Sequence, residues 1–298
     1  MELWTDSFLE YLKSELNDSP LTLDAYARDL VEFQNFMKEA DPDCEWTAVE
    51  AGDIREWIIY LLDEQGLSTS SVNRKLSTLR TFYKYLRRMG WVSINPMEKV
   101  IAPKKKRPLP YFVRESEMDR LLDMTANDRS FLGIRNRLIL MMFYETGIRR
   151  SELLGLTDAG VDLIAKQIKV DGKRSKQRIV PFGPELESEI KEYIEARNDV
   201  FGKNTGFETL FVTKKGTAMN KSQVTKIVKD NLSKVTTIKK RSPHVLRHSF
   251  ATAMLNNNAD LTSIQKLLGH ESVATTEIYT HVSFEELKNE YKNAHPRS

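Results

Sequence analysis

The sequence predicts a mainly α protein with a small β-sheet, divided into an all-helical N-terminal domain and an α+β C-terminal domain. Three observations carry this expectation. Apolar residues recur at helical spacing through the first hundred positions; a stretch rich in proline and lysine interrupts them; and a single pair of β-branched segments flanks Asp171-Gly172 in an otherwise helical second half. The predicted bounds are 1–102 for the helical domain, 103–110 for a basic linker and 111–298 for the α+β domain.

Phe8, Leu9, Leu12 and Leu16 mark a first helix. After Ser19-Pro20, Thr22 is the expected cap of a second, whose stripe is Tyr26, Leu30, Phe33 and Met37. Asp53 is the expected cap of a third presenting Ile54, Trp57, Ile58, Leu61 and Leu62, with Gly66 beyond its end. A fourth follows Ser70, buries Val72, Leu76, Leu79, Phe82, Tyr83 and Leu86, and stops at Gly90. Its remaining positions include Arg74, Lys75, Arg80 and Lys84, so the bundle is expected to carry one basic face. The boundary falls at Ala102-Pro103, where Lys104, Lys105, Lys106 and Arg107 precede two further prolines. Such a connection can follow a phosphate backbone or can simply be a solvated linker.

In the second half, Lys166 to Val170 and Gln177 to Val180 read as a hairpin, with Lys173, Arg174 and Lys176 near its tip. Helices are expected over 131–145, 185–197, 221–232, 245–256, 261–268 and 284–291, and a further strand over Thr209 to Val212.

A single cysteine, Cys44, excludes an internal disulfide and a multi-thiolate zinc site, and no apolar run reaches the roughly 20 residues of a spanning helix. A cytosolic protein without cofactor or metal is expected. The net charge is only +3, but the signs are segregated: between Lys214 and Arg247 ten cations, among them Lys221, Lys239, Lys240 and Arg241, face one carboxylate, Asp230. That block points to a polyanionic partner, against the alternative of a solvated basic face.

His244 and Arg247 stand three residues apart and therefore share a helix face, a donor pair suited to an anionic oxygen. Thr146-Gly147-Ile148-Arg149 places an arginine directly after a glycine that ends one helix and before the next begins, where free N–H groups favour anions; the alternative is a pair with Glu145 or Glu152. Leu267-Leu268-Gly269-His270 ends another helix, and Tyr279 precedes the last one.

In this order the segments closely resemble the tyrosine recombinase family of phage-type integrases and Xer proteins, over essentially the whole chain. The resemblance implies a four-helix SAM-like DNA-binding domain followed by the recombinase catalytic domain. It implies that Arg149 and Arg247 clamp the scissile phosphate and that His270 adds a hydrogen bond there. Tyr279 is then the nucleophile, assisted by His244, and Lys173 the general acid, with Lys176 as an alternative for that last role. No metal or ATP is called for. It implies as partner duplex DNA carrying a specific core site, bound by both domains, and a homotetramer or a heterotetramer with a similar recombinase on synapsed sites. The tail 283–291, with Phe284, Leu287 and Tyr291 as its stripe, is expected to dock on a neighbouring protomer or, alternatively, on its own domain. The short stretch before the first helix favours a Xer-like resolvase of chromosome or plasmid multimers, with a DNA translocase as a further partner and no membrane. An integrase or invertase of a mobile element, a catalytically silent DNA-binding regulator and a relaxing topoisomerase are the rival readings.

Overall fold

The computed structural model describes residues 2–16, 20–104, 111–171, 177–203, 206–269 and 291–296. The chain separates into two compact units, Met1–Pro108 and Leu109–Ser298.

The first unit holds α1 (Glu2–Ser14), α2 (Pro20–Ala40), α3 (Ala51–Ile59) and α4 (Thr69–Arg88). Phe8, Leu30, Phe33, Trp57, Leu79 and Phe82 are fully buried between them, and Trp46 packs edge-on against Phe82 with ring centroids 4.7 Å apart. Local chemistry moves several expected boundaries. Helix α2 begins at Pro20 rather than after Thr22, because proline's fixed φ and missing N–H suit a first turn. Asp53 is not the cap of α3 but its third residue, where its carboxylate accepts the Glu50 N–H at 2.7 Å. Ser68, not Ser70, caps α4 by accepting the Ser71 N–H. Leu16 lies beyond the end of α1 and is exposed.

The basic face of α4 is narrower than expected. Lys75 is buried: its ammonium lies 2.5 Å from Glu32 and 3.3 Å from Asp29. Arg74 reaches Asp29 through both Nη atoms, at 2.5 and 2.8 Å, and Thr78 donates to the same carboxylate at 2.8 Å. Lys75 therefore ties α4 to α2 instead of facing solvent, while Arg80 and Lys84 are exposed with no ion-pair partner among the described residues. Replacing Asp29 by alanine is expected to cost about 3 kcal/mol, the lower end for a broken buried pair because Glu32 still holds Lys75. Urea denaturation checks this, and a loss under about 1 kcal/mol would mean that the buried cluster contributes little.

The second unit holds α5 (Glu115–Thr125), α6 (Phe131–Thr146), α7 (Arg150–Gly155), a three-stranded antiparallel sheet, then α8 (Pro184–Phe201), α9 (Lys221–Leu232), α10 (Pro243–Asn256) and α11 (Leu261–Leu268). The strands are β1 (Val161–Asp162), β2 (Gln167–Asp171) and β3 (Gln177–Pro181), with Ile168 opposite Val180 and Val170 opposite Arg178. Helix α5 was not expected; Met118, Leu121 and Leu122 supply its short buried stripe. The expected strand over Thr209 to Val212 reduces to a single bridge from Val212 to Ala218. Its backbone is bound by side chains instead: Leu210 O accepts from Tyr193 and Arg197, and Val212 O from Arg135.

At the chain's end, Tyr291 and Ala294 pack with Phe250, Met254, Leu267 and Leu268 of the same unit. Of the tail expected over 283–291, residues 283–290 fall outside the described residues. No helix among the described residues is long and apolar enough to cross a membrane.

Candidate active site

Arg149, His244 and Arg247 each owe their position to a helix boundary. Helix α6 stops at Gly147, whose φ of +58° is left-handed. A Cβ there would lie 2.5 Å from Phe250 and 2.8 Å from Leu268, so conformation and space both require glycine. The reversal sets Arg149 in extended conformation as the residue before α7. Its N–H donates to Glu152 Oε2 at 2.7 Å, its Nη1 to Glu152 Oε1 at 2.8 Å and its Nη2 to Gly269 O at 2.5 Å. The pair with Glu152, weighed above against a phosphate role, therefore forms, yet a third of the Arg149 side chain stays exposed.

Helix α10 starts at Pro243, which leaves His244 exposed in the first turn and sends Arg247 one turn deeper, where it is only 4% exposed. Arg247 donates through Nη1 to Gly147 O at 2.5 Å and through Nη2 to Leu268 O at 2.6 Å. Both arginines are thus held by carbonyls at helix C-termini, where the dipole favours a cation.

These side chains open into one cavity of about 450 Å³, lined also by Arg150, Ser151, Lys221 and Ser242. A larger cavity of about 550 Å³ in the same unit, between α5, α6 and α9, contains none of the three. Chemistry rather than size marks the smaller one: three arginines, an imidazole, a lysine and the first turn of α10 line it, an arrangement that accepts an anionic oxygen.

Electrostatics sharpen the assignment. Burial, then the neighbouring Arg149 charge, lowers Arg247 to about 10, so it remains a cation at neutral pH. Burial opposes ionisation of Glu152, but hydrogen bonds from Arg178 and Arg149 outweigh it and hold the carboxyl below its ordinary range. Desolvation of the inward part of the ring, then His248, Arg247 and Lys240, lowers His244. The imidazole is therefore neutral near pH 7 and free to accept a proton.

Among the other expected site residues, Lys221 lines the cavity, and Lys240, exposed, acts on His244 through its charge. Lys239 is exposed beside it, and Arg241 is half-buried just ahead of α10. Lys104 is exposed in the first unit. Lys105, Lys106, Arg107, Lys173, Arg174, Lys176, His270 and Tyr279 lie outside the described residues. Sequence reasoning passed over Arg178, whose spacing from Val180 marks an inward-facing position, and Ser242, the residue before a proline-initiated helix.

The comparisons with known proteins fit this geometry. Residues 111–286 match the phage integrase family, and residues 5–90 match the N-terminal SAM-like domain of phage integrases. The chain belongs to the phage integrase family. Tyrosine recombinase XerC of Staphylococcus aureus is 40% identical, with 98% of this chain and 96% of that protein covered. Tyrosine recombinase XerD of Oceanobacillus iheyensis is 37% identical over all of both chains. In fold, the chain resembles the XerH site-specific recombinase bound to its difH substrate before cleavage, with a TM-score of 0.68, 23% identity and 96% and 83% coverage of the two chains. As a phage integrase family member, the protein is a DNA-binding, tyrosine-type site-specific recombinase.

Proposed function

We propose that the cavity of Arg149, His244 and Arg247 binds the scissile phosphodiester and that Tyr279 attacks it. The observation that carries this reading is the convergence of two guanidiniums and a neutral imidazole on one open cavity. Arg149 and Arg247 bind the non-bridging oxygens and stabilise the charge that grows on them in the transition state. His244 takes the phenolic proton as the Tyr279 oxygen bonds to phosphorus. A lysine of the hairpin, Lys173 or Lys176, protonates the 5′ oxygen as its bond to phosphorus breaks, and His270 adds a hydrogen bond to the phosphate. A 5′ hydroxyl from another strand then reverses the step and releases the tyrosine, so the bond energy is conserved without ATP. Lys221, Lys240, Arg80 and Lys84 supply phosphate contacts that give salt-sensitive affinity.

The biological reading is Xer-like: resolution of chromosome or plasmid multimers in the cytoplasm by a tetramer on two synapsed core sites, alone or with a second recombinase, under a DNA translocase. Full-length similarity to proteins named XerC and XerD supports it. Integration or inversion of a mobile element uses the same residues; sequencing the recombined junctions separates the two.

The test is a nicked suicide duplex carrying the cognate site, from which the wild-type protein should yield a tyrosine-linked adduct. Failure to form any adduct under conditions of stable synapsis would leave a DNA-binding regulator as the better reading. The lowered His244 value also sets a pH dependence. Protonation removes the base, so the acid limb of the cleavage rate should lie below the ordinary imidazole value of about 6.5, with a plateau through pH 7. Single-turnover rates between pH 5 and 8 check this, and an acid limb centred above pH 7 would exclude neutral His244 as the base.

A further inference from the structure

We infer that Arg178 is a positioning residue of the strand-cleavage reaction, which neutralises Glu152 so that the charge of Arg149 is left for the phosphate. The inference rests on the phosphate-binding role proposed above for Arg149 and Arg247.

The register of the hairpin puts Arg178 where an apolar side chain belongs. It alternates with Val180, which is fully buried, and pairs across the strands with Val170, only 2% exposed, while Ile179 between them is turned outward. A cation on the inner face of a sheet costs free energy unless fully paired. Arg178 is fully paired: Nη1 and Nη2 grip Glu152 Oε1 and Oε2 at 2.6 and 2.9 Å, and Nε donates to Leu267 O at 2.9 Å. This two-pronged geometry is the strongest that arginine and a carboxylate form.

Glu152 is also the carboxylate of Arg149, and the C-terminal end of α11 links all three arginines. Leu267 O accepts from Arg178, Leu268 O from Arg247 and Gly269 O from Arg149. Three guanidiniums from β3, α10 and the start of α7 thus converge on one helix end, two of them, Arg178 and Arg149, share the Glu152 carboxylate, and the cluster is doubly cationic. Gly269 permits this approach: a Cβ on it would lie 3.2 Å from both Cδ and Nη1 of Arg178. Because Arg178 occupies both carboxylate oxygens, Glu152 orients Arg149 without cancelling the charge of the pair. If Arg178 were lost, Glu152 would be matched by Arg149 alone, the cluster would drop one positive charge, and Arg149 would be drawn from the phosphate toward the buried carboxylate.

The test compares wild type, Arg178→Met and Arg178→Lys in single-turnover cleavage of two nicked suicide duplexes, one with an ordinary scissile phosphate and one with an uncharged methylphosphonate there. DNA affinity is measured by gel shift and folding by circular dichroism. The Met variant should bind DNA within about threefold of wild type, since Arg178 lies beneath the surface, and cleave the phosphate about 10²-fold more slowly. On the methylphosphonate, which needs less positive charge, its deficit should shrink to under about tenfold. The Lys variant should lie between. Equal deficits on both duplexes would reduce Arg178 to a packing role, and cleavage of the phosphate within about threefold of wild type would remove the inference altogether. Should the Met variant fail to fold, the Lys variant, which retains the stem and charge but loses the fork, carries the same comparison. A wild-type protein that cleaves neither duplex would overturn the underlying assignment, whereas wild-type cleavage indifferent to Arg178 overturns this inference alone.

Discussion

A Tyr279→Phe protein is expected to bind its target duplex with unchanged affinity and to form no covalent adduct on the nicked suicide substrate. The substitution removes one oxygen and keeps the ring, so it changes side-chain volume little and leaves the cationic cavity intact. Without that oxygen there is no nucleophile to bond to phosphorus, and the loss is complete rather than graded. Denaturing gel analysis after long incubation reads the result. Covalent capture by the phenylalanine variant would place the nucleophile elsewhere and dismantle the proposed mechanism.

Arg247→Ala should lower single-turnover cleavage by about 10³-fold, the upper range for removal of one preorganised donor from a transition-state oxyanion. The upper range applies because Arg247 is buried, remains charged at neutral pH and is held by two carbonyls before substrate arrives. The same substitution leaves Gly147 O and Leu268 O without their guanidinium, at a cost of about 1–3 kcal/mol each. Stability should therefore fall as well. Arg247→Lys separates the two effects: it restores much of the charge but not the fork, and should recover stability more than rate. A rate loss below about tenfold in the alanine variant, with binding preserved, would remove Arg247 from the phosphate clamp.

Much of the architecture was legible in the residue pattern. The stripes of α2, α4, α9 and α11 were readable because periodicity reports a buried face directly, and the hairpin because β-branched runs flank Asp171-Gly172. Boundaries shifted where capping chemistry offered neighbouring choices, as with Ser68 against Ser70 and Pro20 against Thr22. Helix α5 was missed because its apolar stripe is only three residues deep. The segment over Thr209 to Val212 looked like a strand because its composition suits one; its carbonyls are claimed by Tyr193, Arg197 and Arg135, which no local pattern reveals.

The site divides along the same line. Arg149, His244 and Arg247 were identifiable by type and spacing, because a glycine-terminated helix followed by arginine, and a histidine three residues before another, are local signals. The family, too, could be named once the hairpin lysine, Leu267-Leu268-Gly269-His270 and Tyr279 joined those residues in order. That Lys75 is a buried strut and not a surface cation could be decided only by packing, since Asp29 and Glu32 lie on another helix. So could the convergence of Arg149, Arg178 and Arg247 on the three carbonyls that end α11, and the sharing of Glu152 between two of them. Residue pattern determines which face of an element is buried and where that element stops, because those depend on neighbours in the chain. Which distant charges share a partner depends on how the elements pack, and there only the tertiary structure assigns each cation to the core or to the phosphate.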